Sequence, residues 1–112
     1  MSHDQHLKVY DFRLVNASTV TAATLFSALT TGMGKFVQKI VVQGLPTNTG
    51  QVAIGATPSV TAGSESGVQL YATQTVTYEH LDLSQISMLP KVAGEGLLLQ
   101  VFVNQTNLSQ TY

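Results

Sequence analysis

His3 and His6 stand three positions apart near the start of the chain, and His80 lies far downstream beside Glu79 and close to Asp82. Imidazoles and carboxylates are the raw material of metal centres and of acid–base chemistry. A metal centre needs three or four ligands held rigidly, each supported by its own outer partner. Residues 1–6 are polar and show no alternation, so they read as an arm that supplies no such rigidity. These histidines are therefore expected to be solvated, with no metal and no cofactor.

Glu79 and Asp82 invite comparison with the carboxylate pair of sugar hydrolysis, which requires a set separation across a cleft. A small β domain with only six acidic residues has little cleft to offer. The expectation is that they bracket a turn, Asp82 accepting hydrogen bonds from amides near Ser84 and Gln85. Gly32-Met33-Gly34-Lys35 has the flavour of a phosphate-cradling loop. It lacks the long glycine spacing, the Ser or Thr after Lys, and the strand-then-helix setting that such loops use. No serine sits in a nucleophile-elbow context. The sequence predicts no catalytic residues and no enzyme.

Composition narrows the classes further. Charged residues form 10% of the chain, against roughly 25% in ordinary soluble domains. Neutral polar groups take their place, with 14 Thr and 10 Gln. Thr suits pleated strands, and depletion of Lys and Glu also marks surfaces covered by other proteins. A net charge of −1 with five scattered basic residues argues against nucleic-acid binding, which needs a basic stripe. The aromatic residues Tyr10, Phe12, Phe26, Phe36, Tyr71, Tyr78, Phe102 and Tyr112 lack interleaved Arg or Lys, so they read as core or interface groups. Cysteine is absent, which excludes disulfides and thiolate zinc sites. No apolar run reaches the roughly 20 residues of a membrane-spanning helix. Met1 to His6 lacks the order of a secretory signal. The Asn-x-Ser/Thr triplets at Asn16, Asn104 and Asn107 are then expected to be incidental.

Apolar periodicity places the elements. Leu7–Val15 alternates, with Lys8, Tyr10, Phe12 and Leu14 on one side. Val20–Leu29 carries helical spacing and is halted by the glycines at 32 and 34. Phe36–Gln43 is the strongest strand, with Phe36, Gln38, Ile40 and Val42 expected on one face. The cassette Gly44-Leu45-Pro46-Thr47-Asn48-Thr49-Gly50 then reads as a hairpin turn into a strand over Gln51–Gly55. Short strands are expected over 58–61, 68–71 and 75–78, with a flexible loop at 63–67. Residues 81–86 read as a loop or single helical turn, and 90–96 as a turn cluster. Leu97–Val103 closes the domain as a strand expected to be buried on both sides, since Leu98 and Phe102 are apolar as well.

About seven short strands with one helical segment predict an all-β antiparallel β-sandwich, jelly-roll-like, with a closed barrel as the alternative. A single domain spans residues 1–112, with a polar N-terminal arm (1–6) and a C-terminal arm (104–112).

The strand ending Ile40-Val41-Val42-Gln43, then Asn48-Thr49-Gly50, Val52-Ala53-Ile54-Gly55, the Val60-Thr61 step, the Gly-rich loop and Asp82-Leu83-Ser84-Gln85-Ile86 resemble small virion proteins of tailed bacteriophages. Among these are the β-sandwich decoration, or cement, proteins of the capsid exterior. The resemblance runs from Phe36 to Val103, with Ala72-Thr73-Gln74 standing where such proteins carry a Gly-Glu-Ser step. It implies a protein made in the host cytoplasm and placed on the capsid surface of the virion. There it would bridge subunits of the major capsid protein and associate with itself as a dimer or trimer, without nucleic acid or membrane. A head–tail connector, tail or fibre-associated module is the alternative. A carbohydrate-binding module is a further one, with Tyr71, Tyr78 and Tyr112 on an exposed face.

Overall fold

The computed structural model describes residues 6–29 and 34–104. Among the described residues eight strands follow one another: β1 (Leu7–Val15), β2 (Ala23–Thr24), β3 (Phe36–Gly44), β4 (Val52–Ser59), β5 (Ser66–Leu70), β6 (Thr75–Asp82), β7 (Ser87–Pro90) and β8 (Gly96–Asn104). One helical turn, α1 (Leu25–Ala28), and a 3-10 turn at Leu83–Gln85 complete the described elements. The strands form two four-stranded sheets, ordered β1-β8-β3-β6 and β2-β7-β4-β5.

The pairing explains that order. β1 runs antiparallel to β8, β2 to β7, β3 to β6 and β4 to β5, so the chain is one long antiparallel ribbon. The ribbon is rolled until β8 also meets β3 and β7 also meets β4. This is the jelly roll, an antiparallel β-sandwich as the alternating apolar runs predict. Rolling buries one face of each sheet against the other. The shared core holds Leu25, Ile40, Ile54, Leu83, Met88 and Leu97, all fully buried.

Local turn signals misread the connections. The Gly44–Gly50 cassette is no hairpin, because β3 and β4 lie in different sheets. It is an arch over the end of the sandwich; the hairpin is β4–β5, with Ser64 N–H bonded to the Thr61 carbonyl in its loop. Turn residues between two apolar runs have the same signature in both cases. What separates them is whether the two runs share hydrogen bonds or face each other across a core.

Other expectations need correction. Helical spacing over Val20–Leu29 yields only α1, because β2 takes Ala23 and Thr24 to pair with Met88 and Ser87. Its partner β7 was hidden behind Pro90, which ends the strand. Residues 58 and 59 extend β4, so no separate strand forms over 58–61, and the loop expected at 63–67 ends at Glu65 because Ser66 and Gly67 begin β5. Asn104, assigned to the C-terminal arm, is the last residue of β8, opposite Leu7. Residues 105–112 and most of the N-terminal arm lie outside the described residues.

β3 breaks its own alternation. Ile40 and Val42 are buried as expected, but Val37 turns inward where Phe36 was expected, leaving Phe36 68% exposed. β6 slips at the same level: Val76 and Tyr78 pack on the core, and so does Leu81, while Glu79 and His80 both face out. The cause is His80, whose φ of 53° lies in the left-handed region. It sits opposite Gln38, between the pairs Val37↔Leu81 and Lys39↔Glu79. A residue in that conformation re-aims the side chains that follow it.

Candidate interaction surfaces

Among the described residues, those singled out for chemistry do not converge. His80 is exposed at the kink of β6, and His6 is exposed immediately before β1. His3 lies outside the described residues. Among the described residues no group of three His, Asp or Glu is placed to hold a metal ion. Asp82 has the turn role expected of it. Its Oδ1 accepts the Ser84 amide at 2.9 Å and the Ser84 hydroxyl at 2.7 Å, starting the 3-10 turn that drops Leu83 into the core. The Ser84 hydroxyl, then its amide, hold the Asp82 carboxyl below the usual range, with a smaller contribution from the Lys35 cation.

Lys35 itself stands over the ring of Phe36, 5.3 Å from its centroid. Lys8 and Lys39 do the same over Tyr10 and Phe102. Cation–ring contact therefore occupies three of the five basic side chains. Tyr78 faces inward and burial pushes its phenol up, whereas Tyr71 is exposed between β5 and β6. The two tyrosines do not share a face. Tyr112 and the Phe26 side chain lie outside the described residues.

A polar clasp that sequence reasoning missed closes one end of the sandwich. Glu95 accepts the Thr49 amide at 2.7 Å and the Thr49 hydroxyl at 2.8 Å on one oxygen, and the Gly50 amide at 3.0 Å on the other. Asn48 donates to the Gly96 carbonyl and accepts the Gly96 amide. Asn16 joins from the end of β1, its carbonyl accepting the Gly94 amide and its own amide donating to the Glu95 carbonyl. The sequence offers Asn48-Thr49-Gly50 as turn residues, but nothing local says that an acid 46 positions away from Thr49 would bind them.

The Gly50 amide, together with the amide and hydroxyl of Thr49, holds the Glu95 carboxyl below its usual range against some desolvation. A carboxyl depressed in the folded state stabilises above its unfolded pKa, and that contribution disappears as pH falls through the folded value. Stability should therefore be level near neutrality and decline below about pH 4. Glu95→Gln is expected to lose part of the clasp at pH 7 and to show a smaller further fall in melting temperature on acidification. Thermal unfolding of both proteins between neutral and acid pH checks this, and parallel curves would refute it.

The outer faces of the two sheets differ. On the second sheet Ala53 and Leu89 pair directly, and Val60 from beyond the end of β4 packs on them. Gln69 lies beside Ala53 and ties that segment down, donating to the carbonyls of Ser59 and Ser66 at 3.0 Å each. The chain covers this face itself.

The first sheet presents three cross-strand rows outward. Val9, Phe102, Lys39 and Glu79 form one, Asp11, Gln100, Val41 and Thr77 the next, and Arg13, Leu98, Gln43 and Thr75 the third. Phe102, Val41 and Leu98 are half-buried here, and Leu7, Val9 and Val15 are 43–47% exposed along the rim. β8 is therefore not buried on both sides as expected: Leu97, Leu99 and Val101 are covered by the core, while Leu98 and Phe102 are half-buried and Gln100 is exposed, because nothing among the described residues packs on the outer face of this sheet. An open groove of about 380 Å³ runs over Val41, Gln43, Leu98 and Gln100. This sheet face sets apolar side chains beside two amides, Gln43 and Gln100, and four charged groups, Asp11, Arg13, Lys39 and Glu79. Comparison of the chain with models of known families, with curated proteins and with solved structures finds no match.

Proposed function

We propose that this protein is a structural component of a bacteriophage virion that decorates the outer surface of the capsid and bridges subunits of the major capsid protein. The observation that carries the reading is the pairing of a jelly roll with one uncovered sheet face on which Phe102, Val41 and Leu98 lie open. The architecture is one that viral capsid domains share with lectins and cupins, so the fold contributes by analogy alone. The uncovered face adds a reason of its own. A clamp must resist outward strain through a body that does not deform, and must present apolar area to its partner. The rows Val9–Phe102 and Arg13–Leu98 offer aliphatic and aromatic area beside Gln43 and the charged Arg13, Lys39 and Glu79.

The polar composition of residues 1–6 and 105–112 suits contact with adjacent subunits. Self-association adds avidity on a lattice. The test is to incubate the purified full-length chain with expanded, undecorated phage capsids and count bound copies by electron cryo-microscopy. Many copies at regular lattice positions are expected, with occupancy reduced when residues 1–6 are removed. A few copies in one ring at a vertex would instead indicate a connector or tail component, and no binding would refute the proposal.

A further inference from the structure

The geometry points to a dimer in which β1 pairs antiparallel with β1 of a second copy, joining the two first sheets into one continuous eight-stranded sheet. This inference stands apart from the virion reading and holds or fails without it.

Four strands end the two sheets, and three are poor templates for pairing. β2 has two residues. β5 carries Gly67 at φ 84°, opposite a register shift in β4. β6 is kinked by His80. β1 is different: nine residues without Gly, Pro or bulge, in unbroken register with β8 from Leu7 to Val15. Its other edge has no strand partner among the described residues. Natural sheets blunt long regular edges, or pair them.

The residues of β1 say which partner fits. A two-fold axis normal to the sheet keeps each face on its own side, so the axis must pass at a residue rather than between two. Centred on Asp11 it sets Asp11 against itself, and centred on Arg13 it sets Arg13 against itself. Centred on Tyr10 it leaves both charges opposite aliphatic groups. Centred on Phe12 everything matches. Asp11 meets Arg13 of the second copy, twice by symmetry, and Val9 meets Val15 on the same outer face. On the inner face Tyr10 meets Leu14 and Phe12 meets Phe12, extending the core across the junction. Directly opposed residues lie close enough for ion pairing and ring contact.

Each monomer is left with the groups this arrangement uses. Arg13 is exposed and has no hydrogen-bond, ion-pair or ring partner among the described residues. Asp11 spends one oxygen on Gln100, at 3.2 Å, and keeps the other. Val9 and Val15 are 44% and 47% exposed. Tyr10 and Phe12 stack at 6.1 Å yet remain only half-buried at the sheet rim.

Sedimentation equilibrium of the full chain tests the idea. The 11.9 kDa chain should run at twice its mass at moderate concentration. Asp11→Arg and Arg13→Asp should each weaken association by roughly tenfold or more, since each sets like charges opposite one another twice. The double variant carrying both substitutions should regain it. An equimolar mixture of the two single variants should give a heterodimer in native mass spectrometry. Amide exchange supplies a reading without mutation: Val9–Val15 should slow with protein concentration, while Thr75–Asp82 should not. A wild-type chain that stays monomeric to ~1 mM overturns the inference. So does a dimer indifferent to the reversals, or folded variants whose combination fails to restore it.

Discussion

Gly96→Ala is expected to cost about 3 kcal/mol or more and to lower the melting temperature by on the order of 10 °C. Gly96 opens β8 opposite Val15, where three chain segments converge. A methyl group there would fall inside the Leu14 carbonyl and 2.7 Å from the Val15 Cα, both of them backbone with no rotamer to escape into. The same residue is held on its other side by Leu45, whose amide bonds the Gly96 carbonyl at 3.1 Å, and by both ends of the Asn48 amide. The methyl therefore cannot be accommodated by shifting β8 away from β1 without opening the clasp. Denaturant unfolding monitored by circular dichroism measures the loss. A cost below about 1 kcal/mol would show that the end of the sandwich yields more readily than its packing implies.

Ile40→Ala should destabilise by about 3–4 kcal/mol, whereas Val41→Ala, one residue along the same strand, should cost about 1 kcal/mol or less. Ile40 is fully buried at the centre of β3, between Tyr78 of β6 and Val101 of β8. Truncating it leaves a void walled by strands on both sides, and such a site cannot collapse. Val41 points into the open groove of the outer face, so its loss removes surface already half in water. The contrast matters more than either value, because it separates burial from strand propensity at adjacent positions. Equal costs for the two would mean that the outer face is covered in solution, as a tightly bound partner would make it.

Much of the fold is legible in the residues themselves. Alternation over Leu7–Val15 and Leu97–Val103 yields β1 and the inward face of β8, because a two-residue period reports which side of a strand meets the core, while burial of the second face of β8 needed a covering layer that alternation does not report. Asp82 ahead of Ser84 starts a turn through short-range hydrogen bonds, which need no distant partner. Where a long-range partner decides the outcome, local signals fall short. Ala23 and Thr24 leave a helical pattern because β7 is there to pair with them, a stabilisation set by residues more than 60 positions away.

The candidate surfaces divide along the same line. Scarcity of charge and abundance of Thr and Gln are read directly from the chain, since composition alone sets how strongly a surface repels. Which face stays open, and which is roofed by Val60 and Gln69, follows only from how the β4–β5 hairpin folds back. The joining of Glu95 to Thr49 and the placement of Asp11 and Arg13 along a free edge likewise belong to topology. Period and turn chemistry act over a few residues and are written in the chain. Rolling the ribbon brings remote strands together, and only that closure determines what each side chain finally meets.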